Sequence, residues 1–182
     1  DDKLTAIQMS LRKAKSYQQA CADVKEYFEQ LPVIVSEAEQ QNNFDVFENI
    51  LTSINAGYLH QLKPIVPSAY SIGNDIQQKI SESYKAIVKN ASDYLQLGKI
   101  EEFNEEYIKV QKLNQVENLL NLDSSSKILQ NLSSTIENEE RAIRKENNVK
   151  IIASGLTKLI KFANDIPSIE AKVSNSIHSL LS

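Results

Sequence analysis

The chain of 182 residues carries a net charge of −4, is 41% hydrophobic and 24% charged, and holds four glycines, four prolines and no tryptophan. So few breakers cannot punctuate a many-stranded sheet, which needs a turn signal every ~8–12 residues. The acids and bases are interleaved, without the basic face of a nucleic-acid binder. The expectation is an all-α protein with no nucleic-acid partner, long enough to bury roughly 70% of its unfolded surface. One cysteine cannot close an internal disulfide, and Cys21, near Val24 and Phe28, reads as a small core residue. No run of ~18 apolar residues is present to span a membrane. The opening Asp1-Asp2-Lys3 shows neither an initiator methionine nor a signal-peptide core, which leads us to expect a piece of a larger protein.

In chain order, Leu4, Ile7, Leu11, Ala14, Cys21, Val24, Phe28, Leu31, Val35 and Ala38 step by threes and fours, interrupted near Gln18. This is a helix stripe of coiled-coil type, ~57 Å long if unbroken. Pro32 falls inside it and predicts a kink or a restart. Gln40–Asn43 ends the element, with Asn43 placed to cap the next helix. That helix runs from Phe44 toward Gly57, a glycine stop, with Tyr58, Leu59 and Leu62 offering a further turn. Pro64 and Pro67 mark the clearest linker. The chain therefore reads as one module, 1–182, that the linker divides into 1–66 and 67–182.

A second long stripe follows at Tyr70, Gly73, Ile76, Ile80, Tyr84, Ile87, Ala91 and Tyr94 or Leu95, and Gly98 closes it. Glu101, Glu102, Glu105 and Glu106 open the next helix, where acids suit the positive end of the dipole, and it runs to about Leu120. Asp123–Ser126 is a turn rich in N-cap residues before the helix of Ile128, Leu132, Ile136 and Ile143. Its mixed-charge run Glu137–Glu146 reads as a solvated face. A helix over Val149–Ala163, a break at Ile166-Pro167 and a last helix through Ile169, Val173, Ile177 and Leu180 complete seven antiparallel helices. Short loops then imply an elongated bundle or a short array of helical hairpins, spectrin-like or solenoid-like in plan.

One pattern recurs. Phe44, Phe47, Leu51 and Ile54 share the offsets of Ile100, Phe103, Tyr107 and Val110, and of Val149, Ile152, Leu156 and Leu159, starting at residues 44, 100 and 149. This suggests three long-helix, breaker, short-helix units of about 50 residues. On this reading Phe47→Asp, Phe103→Asp or Leu156→Asp should unfold the domain by burying an unpaired charge.

Motifs that carry chemistry are missing. A four-helix di-iron centre needs Glu three residues before each histidine, but His60 and His178 are preceded there by Gly57 and Asn175. No zinc motif and no cysteine pair occurs. A P-loop ending at Gly98-Lys99 needs glycine where Asp93 stands. Ala153-Ser154-Gly155 only approaches a nucleophile elbow, inside a helical stripe. The expectation is no catalytic residue, no metal and no cofactor.

The most suggestive stretch is 149–163, whose apolar face opposes Lys150, Ser154, Thr157, Lys158 and Lys161. Two functions fit. One is a non-enzymatic helical scaffold that holds or spaces protein partners. The alternative is a lipid- or membrane-surface-binding domain acting through this helix, with Lys150, Lys158 and Lys161 on the contact surface. An apolar cavity between helices that holds a small ligand is a third.

Overall fold

A computed structural model of the chain describes residues 2–54 and 56–182, apart from the side chains of Ala56 and Gly57. Among the described residues there are nine α-helices, one 3-10 turn and no strand, as the all-α reading expects. They are α1 (Asp2–Gln40), α2 (Asp45–Ser53), α3 (Ala56–Leu62), α4 (Pro67–Gln96), α5 (Ile100–Lys112), α6 (Asn114–Leu119), α7 (Ser125–Lys145), α8 (Val149–Asp165) and α9 (Glu170–Leu181), with the turn at Pro167–Ile169. Two more helices exist than the seven read from the stripes. Gly57 lies within α3 instead of ending the preceding helix, and the Asn55 part of that expectation lies outside the described residues. The stretch expected to run to Leu120 is interrupted at Leu113, whose N–H turns to the carbonyls of both Lys109 and Val110. Neither break is marked by proline.

Contacts gather the chain into two compact units, Asp1–Glu82 and Ser83–Ser182, and the division falls within α4. In the first unit, Phe28, Leu31, Val35 and Ala38 of α1 are buried, as are Phe47, Ile50 and Leu51 of α2, Leu59 and Leu62 of α3, and Ala69, Ile76 and Ile80 of α4. Gly73 sits where a side chain would collide with Leu59 and Phe28, so its bareness lets α4 approach. Pro32 causes no restart: α1 is continuous through it. The proline costs the bond that the Phe28 carbonyl would accept, and the buried Phe28, Leu31 and Val35 around it hold the helix in place. Nor does Asn43 cap α2, which begins without a side-chain cap. The asparagine that acts is Asn42, left-handed at φ +53°. It closes α1 by donating to the Glu39 carbonyl while the Asn43 N–H reaches Ala38.

The first half of α1 departs from the expectation of an inward stripe. Residues 2–20 are all exposed, Leu4, Ile7 and Leu11 by 59%, 56% and 57%. Cys21 and Val24 are half-buried, so Cys21 is not a core residue. The stripe is regular along the helix, but the rest of the unit covers only its second half.

In the second unit, α7, α8 and α9 pack on one another, and α5 packs on α8. Phe103 stacks on Tyr107 at 5.5 Å and meets Phe162 edge-on at 6.0 Å. Gly155 lets α8 close on α7, since a Cβ there would lie 2.8 Å from both Glu139 Oε1 and Ile143 Cγ1. Left-handed Gly98 (φ +70°) closes α4, and Asn121 (φ +53°) does the same for α6. The mixed-charge face of α7 is tied to α9: Lys172 pairs with Glu137 at 2.8 Å, and Arg144 donates to Ser179 Oγ at 2.7 Å. The three recurring stripes do not behave alike. Phe47, Leu51 and Ile54 are buried, as are Phe103, Tyr107 and Val110, but of the third stripe only Leu159 is, and Gly155 and Phe162 complete the buried face of α8.

Candidate functional site

α8 begins where Asn148 caps it, its side chain accepting from the Lys150 N–H at 3.0 Å. Its inward face is Gly155, Leu159 and Phe162, and the helix therefore turns Lys150, Lys158 and Lys161 outward. The structure brings two of these three together. Lys158 and Lys161 line a cleft of about 610 Å³ against Gly98, Lys99, Glu101 and Glu102 at the start of α5. Lys150 does not line it. Lys161 is committed to Glu101 at 2.9 Å, and that hydrogen bond and the charge behind it hold the ammonium above its ordinary range. Lys158 makes no ion pair among the described residues.

The apolar side of α8 is only partly used. Val149 is 77% exposed and Ile151 and Ile160 about half, while Ile152 and Leu156 are half-buried. A strip of aliphatic surface thus runs along α8 between its buried face and Lys150. Beneath Lys158 a second, inner cavity of about 70 Å³ is lined by Leu95, Ile100 and Phe162 among others. Small-molecule sites occupy roughly 300–1,000 Å³, so it is too small for an organic ligand. Of the charges in the cleft, three lysines and two glutamates, only Lys161 and Glu101 pair. Thr157, one of two hydroxyls on its wall beside Ser154, donates to its own helix at Ala153.

Three buried polar side chains among the described residues escaped the sequence reading, Asn104, Glu117 and Ser176, and the first two tie helices together. Asn104, inside α5, donates to the Lys161 carbonyl at 3.2 Å and to Asp165 Oδ2 at 2.9 Å, fastening α5 to the end of α8. Glu117 of α6 is 3% exposed and caps α7, accepting from the backbone N–H groups of Ser124 and Ser125. No serine of the 123–126 turn caps α7 through its own side chain, contrary to expectation. Burial pushes the Glu117 carboxyl up. The hydrogen bonds from Ser125 and Ser124, with the Tyr84 hydroxyl close by, outweigh it and hold the group below the ordinary glutamate range. The Tyr84 phenol, buried first and facing Glu117 second, is pushed up. This cluster is closed to solvent and acts on the fold. His60 and His178 are both exposed, and among the described residues no three metal-ligating side chains gather. No helix among them is long and apolar enough to cross a membrane.

Compared with protein-family models, with curated proteins and with solved structures, the chain matches none.

Proposed function

We propose that this chain is a non-enzymatic helical module that holds protein partners on apolar helix faces its own core leaves uncovered. The observation that supports this most directly is the first half of α1. From residue 2 to residue 20 every side chain is exposed, yet leucine and isoleucine recur at helical spacing. Most helical stability in proteins comes from packing of an amphipathic face, and an apolar stripe gains free energy only by being covered. The doubly substituted chain Ile7→Asp, Leu11→Asp tests the reading, since both side chains lie outside the core. The expected outcome is an unchanged melting temperature with loss of the partners that the wild-type chain cross-links in cells. A variant that cross-links the same partners as the wild type overturns the proposal.

A second reading, a lipid-surface contact through α8, rests on exposed Val149 and Ile160 beside Lys150. Its test is co-sedimentation with vesicles containing phosphatidylserine at low salt. Binding lost in Val149→Asp, Ile160→Asp supports it. No binding by the wild-type chain disposes of it.

A further inference from the structure

We propose that the first half of α1 is one strand of a heterotypic coiled coil, and that its partner is an acidic amphipathic helix of another protein. The inference rests on the interaction-module reading and adds the chemistry of the partner.

The pattern itself selects a helix as occupant. Leu4, Leu11 and Gln18 alternate with Ile7, Ala14 and Cys21 at steps of three and four, the two seam positions of a heptad. Up to residue 16 the positions flanking that seam are Lys3, Gln8, Ser10 and Lys15, none of them apolar. A seam this narrow fits a neighbouring helix, whereas a lipid face is broader. Gln18 within the seam calls for a polar residue opposite, which would fix the register. The seam is also continuous with an interface the chain already makes. Through half-buried Cys21 and Val24 it runs into Phe28, Leu31, Val35 and Ala38, which are buried in the first unit. At the junction Asp23, Val24, Tyr27 and Phe28 of α1 form a groove with Ser53 and Tyr58, where the end of a paired helix that carries no acid at its tip would seat.

Charge decides the partner. Between residues 3 and 22 lie Lys3, Arg12, Lys13 and Lys15 and no acid. The chain has 20 Lys and Arg and 24 Asp and Glu. Four bases in this stretch leave sixteen against twenty-four acids elsewhere, so the segment is basic on an acidic protein. A second copy of the same helix would offer Lys3 and Lys15 no acid to pair with. The exposed aliphatic strip of α8 is bordered by Lys150 and offers no acid either. Glutamate or aspartate flanking the seam of a different helix would pair with Lys3 and Lys15 and steer its approach.

The test uses the 182-residue chain and three synthetic helices of about three heptads with the same Ile and Leu seam. Their flanking positions carry Glu, Gln or Lys. The expected result is that the Glu peptide binds best and weakens at least about tenfold as salt rises to roughly 0.5 M. The binding should be lost in Ile7→Asp, Leu11→Asp, and amide exchange of residues 3–20 should slow on binding. Equal or tighter binding of the Gln or Lys peptide overturns the acidic partner and leaves the interaction-module reading standing. Self-association of the chain through this segment in sedimentation equilibrium, or vesicle binding lost in the same variant, replaces the heterotypic partner with a second copy or a lipid surface. No binding by any peptide, with the segment still exchanging as an unfolded chain, overturns both readings.

Discussion

Glu117 points its carboxylate into the first turn of α7, and the sign of its response to acid follows from that contact. Its folded-state pKa lies below the ordinary glutamate value of about 4.3. The stabilisation it contributes is therefore fully present above that value and is lost as pH falls through the lower, folded value. Glu117→Gln should cost about 1–3 kcal/mol at pH 7, the range for a buried hydrogen-bonded group left badly paired. Urea unfolding at pH 7 and at pH 3 checks both statements, because the variant should lose less of its stability between the two than the wild type does. Tyr84 behaves differently. Its hydroxyl is buried beside this carboxylate without a well-formed hydrogen bond, so Tyr84→Phe should cost less than Glu117→Gln in the same assay. Neither role was legible in the sequence. Glu117 stands between Val116 and Asn118 with no spacing that signals a cap, and its partners arrive only because α6 stops and the chain turns back at Asn121.

At the scale of the element, α8 shows what helical periodicity reads well and what it misreads. An amphipathic helix from Val149 was legible. Which part of the wide apolar arc faces the core was not, because that depends on where α7 and α9 lie. Gly155 selects it by admitting α7 at close range. Leu159, fully buried, therefore replaces Leu156 as the intolerant position. Leu159→Asp should unfold the second unit, while Leu156→Asp on the half-buried flank should remain folded, as circular dichroism would show. Gly155→Ala sets two effects against each other. Alanine gains about 1 kcal/mol of helix propensity over glycine. Forcing a methyl to 2.8 Å from Ile143 and Glu139 costs about 1–3 kcal/mol. The net should be a lower melting temperature, and Ile143→Val should recover only a part of it, because it removes the Cδ1 contact and leaves Cγ1 at 2.8 Å. The loss of a separate helix boundary at Pro32 has the same origin: packing around Phe28 and Leu31 outweighs a local breaker.

Across the whole molecule, stripes and cores do not coincide, and the mismatch is concentrated in α1. Periodicity marks this helix as amphipathic from Leu4 to Ala38, a statement about the helix alone. Burial needs a neighbour, and among the described residues the first unit supplies one only from about Val24 onward. The first half of α1 should then contribute nothing to the stability of the chain that bears it. Removing the first twenty residues should leave the unfolding free energy within about 0.5 kcal/mol of the full chain, the range of surface changes that touch no core contact. The urea dependence should change little, since it scales with surface exposed on unfolding and these side chains are exposed already. Leu31→Asp, eleven residues beyond the cut at a site 1% exposed, should by contrast abolish the folded first unit through an unpaired buried charge. Equilibrium unfolding of the trimmed chain beside the full one decides it. A loss of several kcal/mol on trimming would mean that Leu4, Ile7 and Leu11 are covered by the protein itself, and the docking seam proposed for α1 would then have no free surface to offer.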